Sequence, residues 1–247
     1  MCLQSKIKKI NFGYLGQDML KLYDYELSGN CYKVRLMMAF LKLSYDRELI
    51  EFYPSKKHKS LEFLEINPLG QLPVLMDNDF IIRDAQAILV YLAQKYDSQN
   101  TWYPSEKPSL VAEISEWLFF ANDLTATSSA ARLHDGFFYT NIHVEKCRKK
   151  AHDQFRIFDE HLYFNEQQGF SWICKSQYPT IADIACFPYI ILSEEGGISR
   201  INYPAVRRWC DRFKRIPNFI VMSGIFPAGP QKVPDNEAKQ SKILNGN

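Results

Sequence analysis

"LKLYDYELSGNCYKVRLMMAFLKL", residues 20–43, decides the fold. Its first eight residues are apolar and rich in aromatics, a composition that suits a half-buried strand. From Cys31 the pattern changes: Val34, Met37, Met38 and Leu41 recur at helical spacing, which predicts a helix over residues 31–42. The junction holds Ser28, Gly29, Asn30 and Cys31. A helix N-terminus carries unpaired N–H groups and about half a positive charge, so an anion such as a thiolate is stabilised there. Ser28 and Cys31 have the spacing of a redox C-x-x-C pair with serine in the exposed first place. Serine can donate a hydrogen bond to a thiolate but cannot form a disulfide with it. Two readings stand for each residue: Ser28 as helix N-cap or as thiolate donor, and Cys31 as a small buried packing residue or as a nucleophile.

Outward from this stretch, "YDRELIEF" (45–52) reads as a second strand, and a strand, helix, strand run so compact implies a right-handed parallel crossover. "SLEFLEIN" (60–67) forms a short helix that stops at Asn67, because the residue before Pro68 is pushed out of the helical region. "LPVLMDNDFII" (72–82) gives two short strands around Asn78 and Asp79, a pair suited to a tight hairpin turn. In "DAQAILVYLAQKY" (84–96) Ala85, Ile88, Leu89, Leu92 and Ala93 share one helical stripe. The order closes a small mixed sheet with helices on both faces.

After a polar, proline-punctuated linker at 97–108 the sequence has helical period only, over 109–135, 143–166, 180–193 and 204–215. The expected division is an α/β domain over residues 19–97 and an all-helical domain over 108–227, with 1–18 and 228–247 as flexible extensions.

The chain has 247 residues, 30 Lys plus Arg against 28 Asp plus Glu, and a net charge of +2, so no overall field favours nucleic acid or an anionic membrane. Its six cysteines show no C-x-x-C and no regular spacing, which argues against a disulfide scaffold and a zinc site and fits a reducing, cytoplasmic setting. No apolar run has the length of a membrane span. His134, His143, His152 and His161 recur every nine residues, half a helical turn out of phase, so successive rings face opposite sides and no metal site is expected. "RRWCDRFKR" (207–215) contains Asp211 and reads as a solvated helix face.

Three further stretches carry candidate chemistry. In "INPLGQLPVL" (66–75) a cis peptide at Leu72–Pro73 would turn the backbone of Leu72 toward an extended ligand. In "IIRDAQAI" (81–88) Asp84 stands at a helix start, to cap the helix or accept an ammonium. "KKHKS" (56–60) offers cationic donors, or simply a solvated loop.

These pieces in this order, with helical sequence after them, resemble a cytosolic glutathione S-transferase of the serine type, as in the theta, zeta and phi-like branches. "HKSLEFLEINPLGQLPVL" is similar to that family's segment between its second and third strands, and "DNDFIIRDAQAILVYL" to the hairpin and helix that follow. The resemblance spans about residues 20–225. It implies a thioredoxin-like N-terminal domain and an all-α C-terminal domain, with glutathione as co-substrate, no metal, and a homodimer.

It also implies that Ser28 activates the glutathione thiol and that His58 or Lys59, with Gln71, holds the glycine carboxylate. Leu72 would pair with the cysteinyl unit through its backbone, and Asp84 would hold the γ-glutamyl end. One departure is visible: the family usually has Glu or Gln followed by Ser, and this chain has Asp84 followed by Ala85, which leaves only the Ala85 N–H. In "PTIADIACFPYI" (179–190) Thr180 and Asp183 have capping-box spacing, and Pro188 is expected to interrupt the helix. A hydrophobic electrophile would lie against residues 116–137, with Trp117, Phe120 and Phe137 as its lining. The expected reaction is conjugation, dehalogenation or isomerisation. A glutathione-dependent disulfide reductase and a non-catalytic interaction protein on the same scaffold remain as alternatives.

Overall fold

A computed structural model describes residues 20–135 and 142–225. The expected extensions at 1–18 and 228–247, and Phe137, lie outside the described residues. The first strand, β1 (Leu20–Asp24), leads into α1 (Gly29–Phe40) and then β2 (Asp46–Leu49), which pairs with β1 in parallel. After a short turn at Lys57–Lys59 come α2 (Leu61–Ile66), β3 (Val74–Asp77), β4 (Phe80–Arg83) and α3 (Ala85–Tyr96). The sheet order is β2-β1-β3-β4, with β3 antiparallel to both of its neighbours. Asn78 takes the positive φ (52°) that the tight β3–β4 turn requires.

The pleat divides the core. Leu20 and Leu22 of β1 and Leu75 of β3 face the main core with α1 and α3, whereas Tyr23, Ile50, Phe63 and Val74 form a small cluster on the other face, beneath α2. α1 shows more burial than its apolar stripe predicts. Every side chain from Cys31 to Met38 is buried, including Lys33 and Arg35, because α7 covers the helix face turned away from the sheet. Arg35 is held by buried Asp24 at the end of β1, Nη1 donating to the two carboxylate oxygens at 2.6 and 2.8 Å, and Arg47 of β2 donates to the same carboxylate.

The helical half comprises α4 (Pro108–Leu124), a π-helical turn at Thr125–Ser129, α5 (Ala130–Leu133), α6 (Val144–Gln167), α7 (Ile181–Ile191) and α8 (Pro204–Phe213). α7 is buried from Ile181 to Ile190 and packs on α1, α3, α4 and α8. Pro188 does not interrupt it, contrary to expectation: the helix runs on to Ile191 through the lost N–H, held by contacts on several sides.

The reciprocal capping box of Thr180 and Asp183 is present. Asp183 also receives the Ile173 N–H at 3.1 Å and the Trp209 indole N–H at 2.9 Å, so one fully buried carboxylate ties the α6–α7 loop, α7 and α8 together. Burial pushes its pKa up to about 6 against the pull of these donors. Replacing it by alanine would strand the Thr180 N–H at 2.9 Å and the two donors just named. Asp183→Ala is therefore expected to lose at least about 3 kcal/mol, read as a lower urea midpoint; a loss below about 1 kcal/mol would contradict this account.

Candidate functional site

A cleft of about 510 Å³ lies where the open end of the sheet meets the helical half. The N-terminal half contributes Tyr25 to Asn30 except Glu26, then Phe52, Gln71 to Pro73, Asp84 and Ala85. The helical half contributes Asn122, Thr125, Ala126, Ser129, Ala130, Arg132, Leu133 and Tyr189. Two helix N-termini, those of α1 and α3, open onto it, so the cleft is electropositive without a net excess of charged side chains.

Ser28 is the N-cap of α1: its backbone is extended (φ −79°, ψ 121°) and its Oγ accepts the Cys31 N–H at 3.2 Å. That bond uses a lone pair and leaves the hydroxyl proton, so capping and donation to a ligand are compatible at this residue. The next residue must be glycine for steric reasons, since a Cβ at Gly29 would sit 2.5 Å from Cε1 of Tyr189. Tyr189 in turn accepts the Asn30 N–H at 3.1 Å through its hydroxyl. Cys31 points inward and is fully buried, its sulfur accepting the Tyr25 N–H at 3.4 Å. Burial first, and the charge of Asp24 second, push its thiol up to about 12. A thiol in that state is a packing group.

Asp84 caps α3, with Oδ1 accepting the N–H groups of Gln86 (2.9 Å) and Ala87 (3.1 Å), and its backbone has a positive φ of 79°. The strained conformation places Asp84 and Ala85 in the cleft wall. The Leu72–Pro73 peptide is cis, and Leu72 and Gln71 border the same side. Gln71 is positioned by its carbonyl, which accepts from Nδ2 of Asn67 at 2.8 Å.

Other expected positions lie elsewhere. His58 is not in the lining: it is buried behind Phe52, with the two rings stacked 3.9 Å apart and Nδ1 without a hydrogen-bond partner. Burial, then Lys59 and Lys56, lower its pKa. Lys59 is taken up locally, its Nζ donating to the Leu69 carbonyl at 2.9 Å. Trp117 and Phe120 also miss the cleft. They pack on Phe158 of α6, at ring separations of 5.3 and 5.9 Å, and Trp117 lies 4.5 Å from the His161 ring. The wall comes instead from the π-helical turn that follows, whose extra residue per turn rotates Thr125, Ala126 and Ser129 into the cleft.

Tyr25, Asn30, Arg132 and Tyr189 were not anticipated from the sequence. Arg132 is buried and bridges the halves, donating from Nη1 to the Leu27 carbonyl at 2.9 Å and from Nε to Glu195 at 2.5 Å. The run of small residues at 125–131 was the one sequence signal for this wall, because only short side chains leave room beside a ligand.

The histidines are spoken for separately, His152 by the Tyr203 hydroxyl (2.8 Å) and His161 by the Ile173 carbonyl (2.6 Å). In the basic segment 207–215, Arg208 and Arg212 pair with Glu166 while Trp209, Cys210 and Phe213 are buried. Among the described residues no cluster of three or more His, Cys, Asp or Glu could hold a metal ion, and no helix is long and apolar enough to cross a membrane.

Comparison with known proteins agrees with this geometry. The family model "Glutathione S-transferase, N-terminal domain" matches residues 22–101. Human glutathione S-transferase theta-2B is 50% identical over 130 residues, which cover 52% of this chain and 53% of the relative. The chain thus spans about half the length of the curated relatives it matches. A possible glutathione S-transferase from Rhodopseudomonas palustris has a TM-score of 0.75 at 27% identity, covering 84% of this chain and 99% of that one. Ure2p in complex with S-hexylglutathione has a TM-score of 0.71 at 25% identity, with 81% and 95% covered. With a thioredoxin-like sheet, a helical remainder and a serine at the α1 N-cap on the cleft wall, the chain is similar to cytosolic glutathione S-transferases, and its residues 22–101 match that family's N-terminal domain.

Proposed function

We propose that this protein is a glutathione transferase of the serine type, in which Ser28 and the N-terminus of α1 hold the thiol of glutathione as its thiolate. The observation that carries this is the placement of Ser28 as an N-cap that faces the cleft with its hydroxyl proton uncommitted to the cap bond. The N-terminal half, residues 19–97, would hold glutathione and the helical half, 108–227, the second substrate. Leu72 would pair through its backbone with the cysteinyl unit. Asp84 and the Ala85 N–H, which is first in α3 and has no intrahelical partner by position, would meet the γ-glutamyl end. Gln71 would reach the glycine carboxylate, with His58 and Lys59 supporting it by fixing Phe52 and the Leu69–Gly70 turn. That Ure2p is solved with S-hexylglutathione supports a glutathione-sized ligand in the equivalent cleft.

In the reaction the thiolate sulfur forms a bond to an electrophilic carbon, and either a leaving group departs with its electron pair or the adduct takes up a proton. Tyr25, Leu27, Leu133 and the small residues of the π-helical turn offer an apolar wall for that electrophile. Five free cysteines among the described residues fit a reducing compartment. Leu61, Phe80 and Phe119 are large apolar side chains left in water by the single chain, which supports a homodimer.

Ser28→Ala should retain the fold but raise the pKa of the bound thiol by about one to two units, since one hydrogen bond to an anion is worth about 1.5–3 kcal/mol. Thiolate absorbance titrated with and without the substitution reads this directly, and an unchanged pKa would remove the serine mechanism. The burial of Cys31 predicts that iodoacetamide at neutral pH labels the half-buried Cys147 of the native protein and spares Cys31. Labelling of Cys31, or a glutathione mixed disulfide there, would favour the disulfide-reductase alternative. For the homodimer, light scattering at micromolar concentration should give twice the mass of the chain, and a monomer alone would exclude it.

A further inference from the structure

We propose that the buried ammonium of Lys33, seated in α1 behind Tyr189, is a positioning charge that favours an anion at Ser28, and this rests on the glutathione transferase reading. Lys33 is fully buried and its Nζ has no hydrogen-bond partner. An unpaired ammonium in such a place is unfavourable, and a methionine would fill the same space without that penalty. Fold stability therefore gives no reason for a lysine here.

Its position does give one. Nζ lies 5.1 Å from the centroid of the Tyr189 ring, the ring that lines the cleft, closes over Gly29 and accepts the Asn30 N–H. That contact attracts a cation, and Lys33 itself is not part of the cleft lining. Asn30, one helical turn before Lys33, also lines the cleft and carries a buried Oδ1 without a partner, so the floor at this point is polar on both residues. Ser28 lies five residues before Lys33, roughly 7 Å along the helix axis. A unit charge at that range, at the effective dielectric of a protein site, shifts a thiol by roughly one to two pKa units, or about ten- to fiftyfold in thiolate population.

The charged and titratable groups that face Lys33 are Cys186 and Tyr189 on α7 and Asp84 at the start of α3. Burial lowers the Lys33 pKa to about 8, and Cys186 and Asp84 oppose the shift. The ammonium is thus mostly charged at neutral pH and loses its charge as pH rises through about 8, so its help to the thiolate is present below that value and fades above it. By linkage, a bound thiolate raises the Lys33 pKa by the same amount that Lys33 lowers the thiol's.

The test is thiolate absorbance of the glutathione complex, titrated against pH in wild type, Lys33→Met, Lys33→Gln and Lys33→Arg, with thermal unfolding of each. Lys33→Met is expected to bind glutathione and unfold at the same or a higher temperature, while its bound thiol titrates about one to two units higher. Lys33→Arg should titrate as wild type does. A wild-type titration in Lys33→Met overturns the proposal while leaving the glutathione transferase reading intact. If neither Lys33→Met nor Lys33→Gln folds, the lysine serves the fold and the proposal is wrong. If wild type itself binds no glutathione, the functional reading fails and this inference fails with it.

Discussion

The burial of α1 between the sheet and α7 is the constraint on which the rest of the structure depends. Tyr32, Val34, Leu36, Met37 and Met38 are removed from water entirely, gross burial on the order of 10 kcal/mol before chain entropy is counted. That burial forces α7 to be apolar nearly all round, and it brings Tyr189 so close to the start of α1 that only glycine fits at residue 29. It also requires partners for any charge carried inward. Arg35 has Asp24, whereas Lys33 has no hydrogen-bond partner and sits 5.1 Å from the centroid of the Tyr189 ring.

The cleft follows from this clamp. Its two walls belong to different halves of the chain, and polar bonds across it among the described residues include Asn30 to Tyr189, Gln86 to Asn122 at 2.5 Å, and Arg132 to the Leu27 carbonyl. Each fixes a residue of the wall rather than filling the space between. The apolar contact of α1 with α7 supplies most of the adhesion, so the residues around the cleft can serve geometry. The π-helical turn after α4 fits this division, since it gives up regular hydrogen bonding to present Thr125, Ala126 and Ser129.

The electrostatics of the site rest on backbone as much as on side chains. α1 and α3 both begin at the cleft, each capped by a side-chain oxygen, Ser28 and Asp84. A neutral hydroxyl at one N-terminus leaves its partial positive charge available to an anion, whereas a carboxylate at the other partly cancels it. The two ends of the cleft therefore favour different ligand groups, and the end where Ser28 stands is the better suited to an anion.

The sequence by itself determined what depends on neighbours in the chain. The order of strands and helices, the Asn78 turn, and the caps at Ser28, Asp84 and Thr180 with Asp183 all follow from residue type within a few positions, whereas burial in the core decides between the two readings of Cys31. The jointly correct spacing of short motifs extended that reach to a family resemblance. Tertiary structure alone decided which residues share a surface. Trp117 and Phe120 sit on a helix read correctly as apolar, yet α6 rather than the cleft covers them, because the packing of α4 decides which part of its apolar surface meets Phe158. His58 and Lys59 fall short of the cleft because Phe52 and the Leu69 carbonyl, six and ten positions away and brought close by the loops between β2 and β3, take up their faces. Arg132 and Lys33 acquire meaning only from Leu27, Glu195 and Tyr189, between 63 and 156 positions away, and no local pattern encodes a contact over that separation.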